Sequence, residues 1–299
     1  MATDLSSILE STEPTLLTTG FGRTEGPLWH PGGYLTFVDL EGSRLLRWDT
    51  NGQVTVIREN TGEGNGCTLD RQGRLIMCEG ADHRRITRMD ADGAVTTIAE
   101  RWQGKRFNKP NDTVCRSDGS IYFTDPGLRL PMEQREIGFS GVFRIDPRGQ
   151  VHLATDECEY PNGLAFSPDE SILYVAISRL DDRCFEEEQR KAVCTHRKIR
   201  AFDVARDGSL SNNRVFCDMS SADPGVPDGM KVDTLSRVWC TGSGGIWVIE
   251  PSGQVAGVIR TPEVTRNIAF GGPDFRTLYL TPGSSLSKLE VKTPGIGAF

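Results

Sequence analysis

The chain lacks the short motifs of several common hydrolase and metal-binding architectures. It has no Gly-x-Ser-x-Gly nucleophile elbow, no His-Glu-x-x-His zinc motif and no Cys-x-x-Cys pair. Its four histidines are scattered along the chain. These absences argue against an elbow-type serine hydrolase, a zinc protease of that motif class, a zinc knuckle and a thioredoxin-like protein.

An excess of positive charge and a long apolar run are also missing. The formal net charge is −7 and no basic stripe is visible, so we expect no nucleic-acid partner. No segment has the length of a membrane span, and the N-terminus lacks the basic start and apolar stretch of a secretory signal. Eight cysteines lie scattered, mostly in apolar runs, which favours reduced thiols and a cytoplasmic location. Cys184 and Cys194 share one polar loop and could form a bridge.

The sequence has no amphipathic helical pattern of any length. It has instead a short motif that repeats along the chain. The clearest copy is Tyr160–Asp169, in which a polar residue, a glycine and a short apolar run precede the β-prone run Ile172–Ile177. The polar residue that starts each of the six copies is Glu25, Asn65, Asn111, Asn162, Asp228 or Asn267. These positions are 40, 46, 51, 66 and 39 residues apart. A period near 40 with four short strands per unit predicts an all-β fold, a six-bladed β-propeller.

The two ends of the chain complete this prediction. The sixth unit ends near Val291 with only three strands, and the β-prone run Thr15–Thr19 has no partner beside it in sequence. We expect this N-terminal strand to join the last blade and close the ring. Residues 1–14 would then be a leader and residues 15–299 a single propeller domain. The insertion Arg179–Arg197 is highly charged and is interpreted as a solvated loop or a lid over the ring mouth.

The repeated polar positions also predict a site. The first strand of each propeller blade lines the central channel, so six oxygen-bearing side chains would meet there at one height. Buried carboxylates need a cation or protons to neutralise them, and carboxylate and amide oxygens suit Ca²⁺ or Mg²⁺. In the competing interpretation these residues only form turns, which is the ordinary role of Asn and Asp before glycine.

Several longer motifs resemble a known family. The resemblance is carried by Glu25-Gly26-Pro27, Asn111-Asp112 with Asp118–Pro126, Pro161–Ser167, Pro227–Met230 and Asn267–Gly272. Together they are similar to the SMP-30/gluconolactonase/LRE family, over about residues 15–291 and most closely to its bacterial gluconolactonase branch. This resemblance implies a six-bladed propeller with one catalytic divalent metal ion in the channel.

The resemblance also implies the metal ligands, which fall on Glu25, Asn111, Asn162 and Asp228. Asp228 matches the acid/base residue of the family as well. Ca²⁺ is the expected ion, although Mg²⁺, Mn²⁺, Zn²⁺ and Fe²⁺ also accept oxygen ligands.

Five residues are expected to contact the substrate. Asn111 and Lys109 lie close together in sequence, and Lys109 stands where relatives often carry an arginine that binds substrate hydroxyls, which leaves the sugar open. Asp125 would help to position the substrate or would belong to a turn. Asn65 and Asn267 would lie behind the ligands or face the substrate.

The expected activity is metal-dependent hydrolysis of a sugar lactone, similar to gluconolactone, to the aldonic acid. The small-molecule lactone would be the only partner of a monomer or weak homodimer. Two alternatives remain open at this point. One is a metal-dependent esterase or organophosphate hydrolase on the same scaffold, and the other is a non-catalytic, protein-binding propeller with a structural metal.

Overall fold

The computed structural model describes residues 5–80, 83–127, 130–181 and 193–298. Strands and tight turns dominate these ranges, and their helical content is limited to two 3-10 turns, Leu5–Ser7 and Met132–Gln134. None of the helices in this part of the chain has the length and apolar character needed to cross a membrane.

Six four-stranded antiparallel sheets form the blades of a propeller, which confirms the predicted fold class. Blades 1 to 3 are β2–β5 (Thr24–His30, Tyr34–Asp39, Arg44–Asp49, Val54–Arg58), β6–β9 (Gly64–Leu69, Leu75–Glu79, Arg85–Met89, Val95–Ala99) and β12–β15 (Thr113–Cys115, Ile121–Asp125, Gly141–Ile145, Val151–Thr155). Blades 4 to 6 are β16–β19 (Pro161–Phe166, Ile172–Ile177, Lys198–Val204, Leu210–Asp218), β20–β23 (Met230–Val232, Val238–Gly242, Gly245–Ile249, Val255–Arg260) and β24–β26 (Thr265–Gly271, Thr277–Pro282, Ser285–Glu290) with β1 (Thr15–Thr19). A separate hairpin consists of β10 (Arg101–Trp102) and β11 (Lys105–Arg106).

The chain ends meet in the last blade. Strand β1 pairs antiparallel with β26, with Thr15 opposite Lys288 and Thr19 opposite Ser285. On the inside, the first strand of each blade contacts the first strands of its two neighbours, and β24 of the last blade contacts β2 of the first. The six first strands therefore surround a common axis.

In four blades the turn between the third and fourth strands begins with an acidic residue and ends with a glycine. In the turn Asp49–Gly52 the N–H of Gly52 donates to the carbonyl oxygen of Asp49 at 2.8 Å, and Gly52 adopts a φ of +91°. Glycine enters this left-handed region without steric cost, which explains its place at the turn. The same hydrogen bond closes the turns Asp90–Gly93, Asp146–Gly149 and Glu250–Gly253.

Apolar side chains hold neighbouring blades together. Each pair of adjacent blades shares one cluster of buried residues, so six clusters surround the channel. At the junction of blades 6 and 1, the Trp29 ring stacks on Tyr279 with 5.5 Å between ring centroids. This burial of apolar surface between blades is the main favourable term in holding the ring.

The described part of the N-terminal segment packs against the last blades. Ile8 and Leu9 are buried and join the apolar cluster between blades 5 and 6. Leu9 also forms an isolated β-bridge with Val291, just beyond β26. The segment therefore contributes to the core next to the last blade.

Two predictions on the charged insertion fall outside the described residues. Residues 182–192 are not described, so neither the lid nor a Cys184–Cys194 bridge can be compared with the structure. The other cysteines behave as small buried side chains, as expected for reduced thiols; Cys67, Cys78, Cys115, Cys158, Cys217 and Cys240 are all buried and unbridged.

Removal of the buried Leu9 side chain should destabilise the fold. We expect Leu9→Ala to lower the free energy of unfolding by about 2 to 5 kcal/mol, because it leaves a cavity in the cluster between blades 5 and 6. Leu16→Ala is the matched control, since Leu16 is 60% exposed, and should change it by less than about 0.5 kcal/mol. Equal unfolding curves for the two variants in denaturant would show that the segment carries no packing energy.

Candidate active site

The first strands bulge at the repeated polar positions. In β2, three residue steps from Glu25 to Leu28 face two steps from Val38 to Thr36 on the neighbouring strand, so β2 carries one extra residue. The same single-residue excess interrupts β6, β16 and β24. A bulge bends its strand and re-aims the side chains next to it. The bulges thus turn Glu25, Asn65, Asn162 and Asn267 out of the regular strand alternation near the axis.

Glycines after the polar residues let the first strands approach closely. At Gly163 an added Cβ would overlap the backbone carbonyl oxygen of Asp228 in the next blade. At Gly26, where φ is +50°, it would overlap the carbonyl oxygen of Asn65. A larger residue at either place would push a neighbouring polar position away from the axis.

Hydroxyl groups tie each blade to the next at the same level. Thr124 donates to the carbonyl oxygen of Asn162 at 2.8 Å, and Ser178 donates to that of Pro227 at 2.6 Å. Thr241 donates to the carbonyl oxygen of Arg266 at 2.8 Å. Each of these bonds runs from the end of a second strand to the first strand of the following blade, so it fixes the backbone beside a polar position.

Six of the residues singled out in the sequence line one cavity of about 390 Å³ at the axis. They are Glu25, Asn65, Lys109, Asn111, Asn162 and Asp228. The four expected metal ligands are therefore all among the residues that line this cavity, although they come from blades 1, 3, 4 and 5. Charged side chains complete its wall, namely Arg23, Glu41, Glu63, Arg179 and Arg266.

The side-chain amide of Asn162 is fixed in one orientation, and its oxygen has no hydrogen-bond partner among the described residues. Its Nδ2 donates to Ser178 Oγ at 3.0 Å, and that hydroxyl uses its own hydrogen on the carbonyl of Pro227. Ser178 can therefore only accept from Asn162, which fixes the amide orientation. Asn162 Oδ1 is buried and has no hydrogen-bond partner in the described parts of the chain. A buried, unpaired oxygen beside two carboxylates fits a cation ligand.

Glu25 and Asp228 are the two acids of the cavity wall whose pKa is raised, and Glu25 is buried while Asp228 is half-buried. Burial raises the pKa of Glu25 from 4.5 to about 7, while hydrogen bonds from the Gly26 N–H and Asn267 act in the opposite direction. Burial also raises the pKa of Asp228 well above its usual value, and the charge of Glu25 raises it further. The protein alone therefore disfavours two negative charges here, and a divalent cation would offset both.

Asn267 supports Glu25 from behind. Its Nδ2 donates to Glu25 Oε2 at 3.1 Å and lies 3.5 Å from Asp112 Oδ2, while its Oδ1 accepts the N–H of Ile268 at 2.9 Å. Asn267 is buried and is not part of the cavity wall. This position lies behind Glu25, as in one of the two roles expected for Asn267.

Asp125 is a buried acid that lies outside the cavity wall. It is fully buried, and its two oxygens accept the backbone N–H groups of Asn108 and Lys109, both at 2.7 Å. Because both oxygens are used in this way, Asp125 fixes the turn that leads to Asn111. Lys109 itself reaches the cavity, where its Nζ forms an ion pair with Glu63 at 2.8 Å.

The donor set decides which cation the cavity could hold. In the described ranges no group of three or more His, Cys, Asp or Glu side chains is placed to hold a metal ion. A cation at the axis would depend on a mixed set, with two carboxylates from Glu25 and Asp228 and amide oxygens from Asn111 and Asn162. Such oxygen-only sets suit hard cations better than thiophilic ones.

The chain is similar to known proteins over most of its length. Residues 23–284 match the family model described as SMP-30/Gluconolactonase/LRE-like region. The chain belongs to this family. It is 26% identical to a gluconolactonase of Zymomonas mobilis over 97% of this chain and 85% of that protein. It is 29% identical to a pentonolactonase of Haloferax volcanii over 86% of this chain and 80% of that protein. A gluconolactonase structure from Xanthomonas campestris matches with a TM-score of 0.82 and 36% identity, over 96% of this chain and 92% of that one.

Some residues of this SMP-30/gluconolactonase site were missed by sequence reasoning. Ser178 and Asp112 could have been identified from their place in the sequence, because Ser178 directly follows the strand Ile172–Ile177 and Asp112 directly follows Asn111. Arg266 precedes the polar position Asn267, yet nothing in the repeat marks it. Its role depends on a cavity wall that only the folded ring assembles.

The close approach at Gly163 can be tested directly. We expect Gly163→Ala to lower the free energy of unfolding by about 1 to 3 kcal/mol, since the new Cβ meets backbone atoms that cannot rotate away. Gly138→Ala is the control, because an added Cβ meets nothing there within 4 Å, and should change the free energy by less than about 1 kcal/mol. Chemical denaturation measures both, and an unaffected Gly163→Ala would mean that the strands have room to separate.

Proposed function

We propose that this protein hydrolyses a sugar lactone similar to gluconolactone to the open aldonic acid, with one divalent cation in the cavity at the ring axis. The observation that carries the proposal is the set of oxygens on that cavity, above all the unpaired Asn162 Oδ1 beside Glu25 and Asp228. The named lactonases among its relatives support the reaction class.

Glu25, Asn111, Asn162 and Asp228 would hold the cation. Two carboxylates and two amide oxygens are hard ligands, and four protein ligands leave positions for water and substrate. These features favour Ca²⁺ over Mg²⁺, which demands stricter octahedral geometry, and over Mn²⁺, Zn²⁺ and Fe²⁺. A bound divalent cation would polarise the lactone carbonyl and stabilise negative charge on its oxygen.

Asp228 is the proposed general base and general acid. In the proposed reaction a water oxygen bonds to the carbonyl carbon while Asp228 accepts a proton from that water. The bond from the carbonyl carbon to the ring oxygen then breaks, and the ring oxygen leaves as a hydroxyl after taking that proton back. Burial raises the pKa of Asp228 in the cation-free protein, and a cation bound beside it would lower that pKa again, so that the ionised carboxylate could accept the proton. Asn111 and Lys109 would orient the substrate, with the backbone of Lys109 held by Asp125.

The shape of the site favours an enzyme over a protein-binding propeller. The two carboxylates line a cavity of about 390 Å³, which is a suitable size for a small ligand. A protein-binding surface has no need for an acid pair inside the channel, because burying it without compensation is costly.

One assay separates the candidate functions. Metal-free protein is reloaded with each cation, and hydrolysis of D-glucono-1,5-lactone, an aryl ester and an organophosphate is followed against the spontaneous rate. The proposal expects lactone hydrolysis that is lost with chelator and restored best by Ca²⁺, with circular dichroism unchanged. Faster turnover of the ester or organophosphate would favour the second hydrolase class, and a folded protein that is inactive with every cation would favour a binding role.

Asp228→Asn should separate turnover from folding. We expect kcat to fall by about 100-fold or more, because an amide cannot accept the proton from water. Without cation the melting temperature should stay equal or rise, since the variant removes one of two neighbouring acids, whereas the stabilisation by Ca²⁺ should shrink. Asp207→Asn, an exposed site bonded to Ser209, is the control for both readouts. Near-normal turnover of Asp228→Asn would remove this residue from the mechanism.

Ser178→Ala tests the orientation of the Asn162 amide. Without the hydroxyl acceptor the amide can rotate away, and we expect the affinity for Ca²⁺ to fall by about 10- to 100-fold in calorimetry. Ser171→Ala, which removes an exposed hydroxyl bonded to Asp169, should leave the affinity unchanged. Equal affinity in both variants would contradict a ligand role for Asn162.

A further inference from the structure

Four of the eight charged groups of the cavity wall form ion pairs with each other. Arg23 forms an ion pair with Glu41 at 2.8 Å, and Lys109 forms one with Glu63 at the same distance. These four side chains cancel in charge and need no further partner.

Arg266 is different, because its guanidinium has no hydrogen bond or ion pair with any described residue. Its Nε is buried and has no partner. Its backbone is nevertheless fixed, since the Arg266 carbonyl oxygen accepts both the N–H of Gly229 at 2.8 Å and the hydroxyl of Thr241 at 2.8 Å. The side chain lines the same cavity as Glu25 and Asp228. A rigidly based guanidinium thus offers up to four donors to the cavity, on its two terminal nitrogens.

The charge of Arg266 remains in surplus once the proposed cation is present. Its positive charge acts on Glu25 and on Asp228, whose pKa values it lowers against the effect of burial. A third buried acid, Asp112, acts on both of these carboxylates, but it interacts with Lys231, so a divalent cation would offset Glu25 and Asp228 without drawing on Arg266. The guanidinium would then lie near a second positive centre, with no anion of its own among the described residues.

We infer that Arg266 binds an anionic group of the substrate, so that the preferred lactone carries a carboxylate or a phosphate in addition to its lactone ring. This inference rests on the proposed lactone hydrolysis and narrows its substrate class. A guanidinium pairs with carboxylate or phosphate through two parallel hydrogen bonds, which are stronger than bonds to neutral hydroxyls. Such a group would satisfy the donors of Arg266 and remove the surplus charge.

In an alternative role, Arg266 would promote the hydrolysis of every lactone to the same extent. The carboxylate formed by hydrolysis could also pair with the guanidinium, whatever else the sugar carries. The two roles differ in one observable respect, because only the first makes the effect of Arg266 depend on the substituent of the lactone.

Three lactones distinguish the roles and the kind of anion. The metal-loaded, full-length protein is assayed with D-glucono-1,5-lactone, which is neutral, D-glucaro-1,4-lactone, which carries a carboxylate, and 6-phospho-D-glucono-1,5-lactone. For Arg266→Gln we expect kcat/KM to fall by about 10-fold or more on at least one anionic lactone and by less than about 3-fold on the neutral one. The lactone that loses most identifies the carboxylate or the phosphate.

Arg23→Gln is the matched control, since it removes one positive charge from the same wall where the charge is already paired. It should lower kcat/KM by less than about 3-fold on every lactone. An equal loss on neutral and anionic lactones in Arg266→Gln, or an equal loss in both variants, would overturn the inference.

A binding measurement keeps this test separate from the proposed activity. By calorimetry we expect the metal-loaded protein to bind D-glucarate, or 6-phospho-D-gluconate, at least about 10-fold more tightly than D-gluconate, and Arg266→Gln to lose this difference. If no lactone is hydrolysed but this preference holds, the lactonase proposal fails and the anion site stands. Equal affinities in the unaltered protein would overturn the inference even if the lactones are hydrolysed.

Discussion

The proximity of two carboxylates at the axis of the ring, the buried Glu25 and the half-buried Asp228, is the constraint on which the rest of this site depends. Glu25 and Asp228 come from blades 1 and 5, so their proximity exists only when the ring has formed. Burial raises the pKa of both groups, and the charge of Glu25 raises the pKa of Asp228 further. The protein therefore holds a local electrostatic cost that a divalent cation would relieve, which couples cation binding to the stability of the folded ring.

The ring supplies the rigidity that such a site needs. Apolar clusters fix neighbouring blades against each other, while bulges, close glycine contacts and hydroxyl bonds set the position of each first strand. The unpaired oxygen of Asn162 and the unpaired guanidinium of Arg266 both extend from backbone that is fixed in this way. Groups left without protein partners on a rigid frame are typical of a preorganised site.

The repeat in the sequence was enough to predict the fold and the convergence of the polar positions. Registered copies carry their own geometry, so six blades, the place of Thr15–Thr19 and a common cavity followed from spacing alone. The hydrogen-bond partners of individual side chains could not be predicted from the repeat. From the sequence Asp125 is a candidate site residue, but in the structure both of its carboxylate oxygens accept backbone N–H groups. The orientation of the Asn162 amide depends on Ser178, which belongs to another part of the blade. Such contacts arise from packing across strands, which a local pattern does not encode.

A crystal structure of the protein soaked with Ca²⁺ tests the central claim most directly. The account predicts a single cation at the axis, with oxygens of Glu25, Asn111, Asn162 and Asp228 at about 2.3 to 2.6 Å. The Asn162 ligand should be Oδ1, with Nδ2 still bonded to Ser178. A cation bound elsewhere, or an axis that stays free of cation at saturating Ca²⁺ with both acids protonated, would contradict it.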